Sequence, residues 1–228
     1  MKNFVFIIFM TFLAYPAGAM EGNWKGELTP YLWIAGMDGE ATVAGQKADV
    51  NVDFDDTHPG GSLLGVLQYG QVVCWGQVDR LSLEADLDLD HATLKMDLTV
   101  ATLAVGYQFQ GSKGKTYDLL LGAREVWLDR ELKMNGTLTR NRELTDMVVV
   151  FRPSIPLSQN WRFNPTASCG GGDSRLTYEL WPQVQYQISE HWAARIGYRR
   201  LYYDIRDDGA NKWNGGFQGP VIGVGGTW

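Results

Sequence analysis

Apolar and polar residues alternate with a period of two along much of the chain, which indicates β-strands with two different faces. In the stretch "WRFNPTASCG", alternate residues from Trp161 to Cys169 form one face, and polar residues from Arg162 to Ser168 form the other. The stretches "MVVVFRPSI" and "TYELWPQVQYQI" repeat the pattern, and the polar face of the second is rich in glutamine. We interpret the apolar faces as lipid-facing and the polar faces as lining the lumen of a barrel.

Turn residues divide the chain into about ten strands of roughly 10–15 residues, a length that suits a tilted membrane-spanning strand. The sequence therefore predicts an all-β fold, a transmembrane antiparallel up-and-down β-barrel of about ten strands, with eight as the alternative count. The predicted strands are 24–36, 62–73, 75–88, 93–110, 116–132, 145–157, 161–171, 175–188, 191–206 and 216–228.

Short and long connections alternate between these strands. The short connections are Val73-Cys74, 111–115, 158–160 and 189–191, whereas the longest are 37–61, 133–144 and 207–215. Outer-membrane barrels have short periplasmic turns and longer outer loops. An even number of strands then places both termini of the chain on the periplasmic side.

Two stretches resist a clean alternation. In "DRLSLEADLDL" and "IGYRRLYYDI", charged pairs interrupt the apolar face. We predict a β-bulge or a register break near the Asp-Arg and Arg-Arg pairs.

A short internal repeat marks two of the turns. The segments "IPLSQNWRF" and "YQISEHWAA" share an apolar residue, a serine, two polar residues and a tryptophan. We interpret Trp161 and Trp192 as aromatic residues at the membrane interface, each following a tight turn; two unrelated hairpins with buried tryptophans are the alternative.

The N-terminal residues predict export. Lys2, the apolar run 4–13 and the small residues before position 20 match a secretory signal peptide over 1–19, with 20–228 forming the barrel. An uncleaved anchor helix is the alternative, although the apolar run is shorter than a membrane span. The net charge of −6, without a run of Lys or Arg, gives no nucleic-acid footprint. We expect Cys74 and Cys169 to be free thiols because they lie on non-neighbouring strands.

The order of several motifs resembles a family of small Gram-negative outer-membrane β-barrel proteins of uncharacterised function. The motifs are "PYLWIAGMDGEATVAGQKADVNVDFDD", "LAVGYQF", "YDLLLGARE", "RIGYRRLYYDI", "LSQNW" and "ISEHW". The resemblance implies localisation in the outer membrane, contact with outer-membrane lipid and lipopolysaccharide, and assembly by the machinery that inserts barrels. It also implies that Trp228 acts as the terminal aromatic signal for that machinery. The oligomeric state stays open.

Candidate catalytic or metal-binding groups are few. The acidic stretch from Asp53 to His58 could hold a hard cation, but a solvated outer loop is the simpler interpretation. The cluster from Asp86 to His91 is similar to the rim of omptin proteases, yet a second acidic or Asp-His pair is missing, and no histidine has the context of a lipid A deacylase. We therefore assign no catalytic, cofactor or metal residue, and keep a rim-site hydrolase as an alternative.

The inward polar residues are the remaining candidates. A barrel of about ten strands either encloses a narrow pore or is filled by its side chains. We expect a salt-bridged plug, because unpaired charges are costly to bury. The function is then a non-enzymatic outer-membrane barrel, either a narrow small-solute channel or a closed barrel with a structural role in the envelope; a soluble periplasmic β-protein is a further alternative. The candidate lumen-lining residues are Arg124, Arg152, Arg162, Glu179, Gln183, Gln185 and Arg195.

Overall fold

The computed structural model describes residues 24–43, 46–53, 59–87, 92–133, 137–207 and 211–228. Extended strands account for nearly all of these residues, and the one helical element is a 3₁₀ turn at Ser112–Gly114. No helix among them is long and apolar enough to cross a membrane. The predicted signal peptide, residues 1–19, lies outside the described residues.

Fourteen strand segments form a single antiparallel sheet. Four of the barrel strands are interrupted and consist of two consecutive segments, so the segments make ten strands. The segments are β1 (Trp24–Trp33), β2 (Gly36–Val43), β3 (Gln46–Val52), β4 (Gly60–Tyr69), β5 (Val72–Leu87), β6 (Ala92–Gln110), β7 (Thr116–Lys133), β8 (Thr137–Pro156), β9 (Trp161–Phe163), β10 (Thr166–Gly172), β11 (Leu176–Trp181), β12 (Gln183–Gln187), β13 (Trp192–Asp207) and β14 (Asn211–Thr227).

The sheet closes on itself where the first strand meets the last. β1 pairs with β14 in a register that places Glu27 opposite Thr227 and Trp33 opposite Val221. At the end of this seam, the backbone N–H of Gly26 donates to the Trp228 carbonyl at 2.9 Å, and the Trp228 N–H donates back to Gly26 at 3.1 Å. The result is a closed antiparallel ten-stranded barrel, which confirms the predicted fold class and the count of ten rather than eight.

The turn between the second and third strands differs from the prediction. It lies at Gly70-Gln71, not at Val73-Cys74. Gly70 has a φ of 58°, a conformation that glycine adopts without steric cost, so the backbone reverses there. Cys74 therefore lies within β5, and both Cys74 and Cys169 are free thiols, as expected.

The segments predicted as long outer loops are in large part strand. Residues 37–43 and 46–52 of the predicted loop 37–61 belong to the paired strands β2 and β3, and β2 continues the ladder against β14. Much of 133–144 belongs to β8, and most of 207–215 belongs to β14. Their glycines and acidic residues suggested loops, but here the strands extend beyond the lipid-facing region, where polar outward residues are solvated.

The predicted register breaks are also wrong. β5 pairs with β6 without interruption from Val72 to Leu87, and β13 pairs with β14 without interruption from Trp192 to Asp207. The alternation holds because Asp79 and Arg199 point into the barrel, while their neighbours Arg80 and Arg200 lie on the outer face. In each of the two charged pairs, one side chain is buried in the barrel and the other lies outside, so neither pair breaks the register.

The outer surface carries an apolar band bordered by aromatic residues at the short-turn end. In a membrane-spanning barrel, such a band contacts the lipid and the aromatic residues lie at the membrane interface. An apolar surface of this size on a folded chain argues against the soluble periplasmic alternative. The band includes Leu32, Leu103, Val105, Leu119, Leu121, Met147, Val149, Leu180, Ile196, Ile222 and Val224, and the aromatic border includes Trp24, Tyr69, Tyr107, Phe109, Trp161, Tyr186, Trp192 and Trp228.

The polarity of both faces inverts toward the long-loop end of the barrel. On β7 the outer face changes from Leu119 and Leu121 to Glu125, while the inner face changes from Arg124 to Val126. The third of the barrel nearest the long loops therefore has the polarity of a water-soluble barrel, with an apolar interior and a polar exterior. Its buried interior contains Leu81, Leu83, Met96, Leu98, Val126, Leu144, Leu201, Tyr203, Ile205 and Phe217.

The sequence repeat forms the same turn twice. The N–H groups of Leu157 and Ser158 donate to the Trp161 carbonyl at 2.9 and 3.2 Å. The N–H groups of Ile188 and Ser189 donate to the Trp192 carbonyl at the same two distances. The repeat thus encodes a turn that places the tryptophan at the start of the next strand, with its side chain on the outer surface.

Candidate functional site

The centre of the barrel holds a cluster of four charged side chains, which we call the central network: Asp79, Arg124, Glu179 and Arg199. The relative exposure of these side chains is 0–1%. The residues two positions away on the same strands also face inward, so the positions of the four charged side chains follow from the unbroken alternation. Two arginines and two carboxylates give the network no formal net charge.

Arg199 makes three ion-pair contacts within the central network. Its Nη1 and Nη2 donate to Oδ1 and Oδ2 of Asp79 at 2.7 and 2.9 Å, and its Nε donates to Glu179 Oε1 at 2.8 Å. The guanidinium also lies 4.2 Å from the ring centre of Trp33 and 5.5 Å from that of Trp181. Arg199 is thus held by a bidentate ion pair and two cation–π contacts.

Arg124 completes the central network on the other wall. Its Nη2 donates to Glu179 Oε2 at 2.6 Å, so Glu179 links the two arginines. Its Nε, Nη1 and Nη2 also donate to the hydroxyls of Thr102, Thr177 and Ser168, respectively, at 2.8–3.1 Å. This donor satisfaction is what a buried guanidinium needs to offset its loss of hydration.

Asp79 is equally well satisfied. Besides Arg199, it accepts hydrogen bonds from the Tyr31 hydroxyl at 2.5 Å and from Gln77 Nε2 at 2.9 Å. The aromatic rings of Tyr31 and Trp181 pack together with their centroids 5.1 Å apart. The central network and the apolar side chains above it are thus buried together in the interior of the barrel.

The structure places the seven candidate lumen residues on the inner face, at two levels. Arg124 and Glu179 belong to the central network. Closer to the short-turn end, Arg152 pairs with Asp118 at 3.2 Å and Arg195 pairs with Glu27 at 2.5 Å. The other three candidates make hydrogen bonds at this end: Arg162 donates to Ser154, Gln185 accepts from Asn164, and Gln183 accepts from Arg195.

Sequence reasoning missed two members of the central network, Asp79 and Arg199. Each of the two lies beside another charge in the sequence, where the sequence analysis predicts a bulge or register break. The missed signal was parity: Gln77, Asp79 and Leu81 occupy alternate positions and share the interior face. The three candidate interface aromatics, Trp161, Trp192 and Trp228, lie on the outer surface at the short-turn end, with exposures of 44%, 55% and 48%.

The candidate rim and cation sites fall largely outside the described residues. Of the stretch 53–58 only Asp53 is described, and His91 with the two aspartates at 88 and 90 lies outside. Within the described ranges, no three His, Cys, Asp or Glu side chains come together as metal ligands.

The fold defines the class of the protein: a transmembrane barrel of the outer-membrane type. The chain resembles the outer-membrane protease OmpT from Escherichia coli at 8% identity, covering 93% of this chain and 100% of OmpT, with a TM-score of 0.56. It also resembles Ail from Yersinia pestis at 12% identity, covering 92% and 100% of the two chains, with a TM-score of 0.43. No family model and no curated protein sequence matches the chain. The likeness to OmpT shows the fold, not the activity.

Proposed function

We propose that the protein is a closed, non-enzymatic barrel of the Gram-negative outer membrane with a structural role in the envelope. The observation that carries this proposal is the central network, whose four charged side chains are almost fully buried across the barrel interior. A ten-stranded barrel is narrow enough for side chains to fill it, whereas porins with open channels have 16–18 strands. The apolar interior above the network adds a second barrier to ions.

We expect the folded protein to be electrically silent in a planar bilayer. Ions cannot cross the central network or the apolar interior without displacing buried, paired side chains. The measurement is single-channel recording of protein whose folding is verified by its heat-modifiable migration in gels. A channel-forming barrel reconstituted by the same protocol is the positive control. Discrete, reproducible conductance steps from the folded protein would replace this proposal with a narrow channel.

We also propose that Trp228 closes the barrel seam and supports its assembly in the membrane. Its ring covers Gly26 so closely that a Cβ there would collide with it. We expect Trp228→Ala to reduce the heat-modifiable fraction in cell membranes severalfold, whereas Trp228→Phe should retain most of it. Trp161→Ala is the control for loss of an exposed interface tryptophan away from the seam. Equal yields for Trp228→Ala and the wild type would contradict the role.

A further inference from the structure

A polar cavity opens at the short-turn end of the barrel, which faces the periplasm in the proposed orientation. Its volume is about 220 Å³. Arg152 lies at its inner end, with the guanidinium 5.7 Å from the ring centre of the fully buried Trp75. Because Trp75 and the central network lie beyond it, the cavity is a blind pocket. Residues of nine strand segments line it, among them Glu27, Gln108, Asp118, Arg152, Arg162 and Arg195.

The charges of the pocket do not balance. Arg152 is paired with Asp118, and Arg195 is paired with Glu27. Arg162 instead donates to neutral oxygens, Ser154 Oγ at 3.0 Å and the Gly114 carbonyl at 3.3 Å. Three arginines against two carboxylates leave one surplus positive charge among the lining residues.

The two carboxylates of the pocket also have more of their hydrogen-bonding capacity satisfied than its arginines do. Asp118 accepts from Gln108 Nε2 at 2.9 Å through Oδ1 and from Arg152 through Oδ2. Glu27 Oε1 accepts both from Arg195 and from the Thr29 hydroxyl. By contrast, Arg152 Nε is buried without an acceptor among the described residues. Within the described part of the chain, the pocket therefore has one unused hydrogen-bond donor, Arg152 Nε, and one uncompensated positive charge.

Apolar groups line part of the same pocket. Val66, Val73, Pro153 and Pro165 contribute to the wall. A ligand that matches this lining has one negative charge, oxygen acceptors for guanidinium groups and a short hydrocarbon body. Guanidinium groups bind carboxylates with favourable geometry, and the volume restricts the ligand to a small molecule.

The geometry points to a binding site for a small organic monocarboxylate in this periplasm-facing pocket. Arg162 supplies the uncompensated charge and Arg152 an additional donor, while the side chains of Val66 and Val73 contact the hydrocarbon part. This inference goes beyond the closed-barrel role. Conductance tests that role, and carboxylate binding tests the pocket.

The test uses butyrate as the probe and butyramide as its neutral isostere. The folded barrel in an uncharged detergent is titrated with each, and binding is followed by saturation-transfer NMR and calorimetry. Butyrate is expected to bind at least tenfold more tightly than butyramide, with inorganic phosphate weaker than butyrate. Absence of butyrate binding, equal binding of butyramide, or tighter binding of phosphate would each overturn the inference.

A pair of variants locates the site. Arg162→Gln removes the surplus charge and is expected to weaken butyrate binding at least tenfold, with the heat-modifiable fold retained. Arg175→Gln is the matched control, because Arg175 is 61% exposed and lies at the opposite end of the barrel. If Arg162→Gln binds butyrate as the wild type does, or if Arg175→Gln weakens binding equally, the pocket is not the site.

Discussion

Replacing Arg199 with methionine is expected to lower the free energy of unfolding of the barrel by about 3–5 kcal/mol, the usual loss when one partner of a buried ion pair is removed. Methionine keeps most of the length of the side chain, so the loss reflects charge more than packing. Asp79 would lose its bidentate partner, and Glu179 would retain only Arg124. The measurement is urea unfolding in lipid vesicles, followed by tryptophan fluorescence.

The adjacent arginine provides the matched control. Arg200 lies on the outer face, where its ion pair with Asp38 at 3.0 Å is 34–35% exposed. Arg200→Met should therefore change the free energy of unfolding by less than about 1 kcal/mol. Equal losses for the two variants would show that Arg199 is not the buried centre of the network.

A double variant separates charge from shape. Arg199→Met combined with Asp79→Asn removes one charge of each sign and leaves the Glu179–Arg124 pair intact. We expect it to be more stable than Arg199→Met alone, because no uncompensated carboxylate remains buried. A double variant that is less stable than the single variant would contradict charge balance as the reason for the loss.

The sequence predicts the half of the barrel at the short-turn end well, because the strands there are surrounded by lipid. Lipid outside and polar groups inside give strands such as β8 a clear alternation, and the predicted faces of "MVVVFRPSI" match the structure. The strand count and the interior positions of Arg124 and Glu179 follow from the same pattern.

The sequence predicts the half of the barrel at the long-loop end less well, because the inner and outer faces exchange their polarity there. Polar residues such as Glu84 and Glu125 face outward, which in a membrane strand would be the apolar face. Segments of the β2–β3 hairpin and of β8 therefore looked like loops. Asp79 and Arg199 lie near this transition, where a charge on either face could be expected, and the uninterrupted strand pairing confirms the parity that places them in the interior.

The inversion of polarity marks where the membrane ends, and one strand can test its position. Leu121 is 56% exposed on the outer face of β7 within the apolar band. Leu121→Arg is expected to lower the free energy of unfolding by about 2–4 kcal/mol in vesicles, the cost of a charge on the lipid-facing side near the bilayer centre. The measurement is the same urea unfolding experiment.

Glu125 lies four residues further along β7 on the same outer face, in the region where that face has become polar. Glu125→Arg should change the free energy of unfolding by no more than about 1 kcal/mol, since a side chain near or beyond the interface stays hydrated. If instead both variants lose the same amount, the hydrocarbon region reaches Glu125, and the third of the barrel nearest the long loops lies within the bilayer. If neither loses stability, the band around Leu121 does not contact lipid. A large loss at Leu121 with little change at Glu125 places the membrane boundary between them, where the interior changes from the central network to the apolar core.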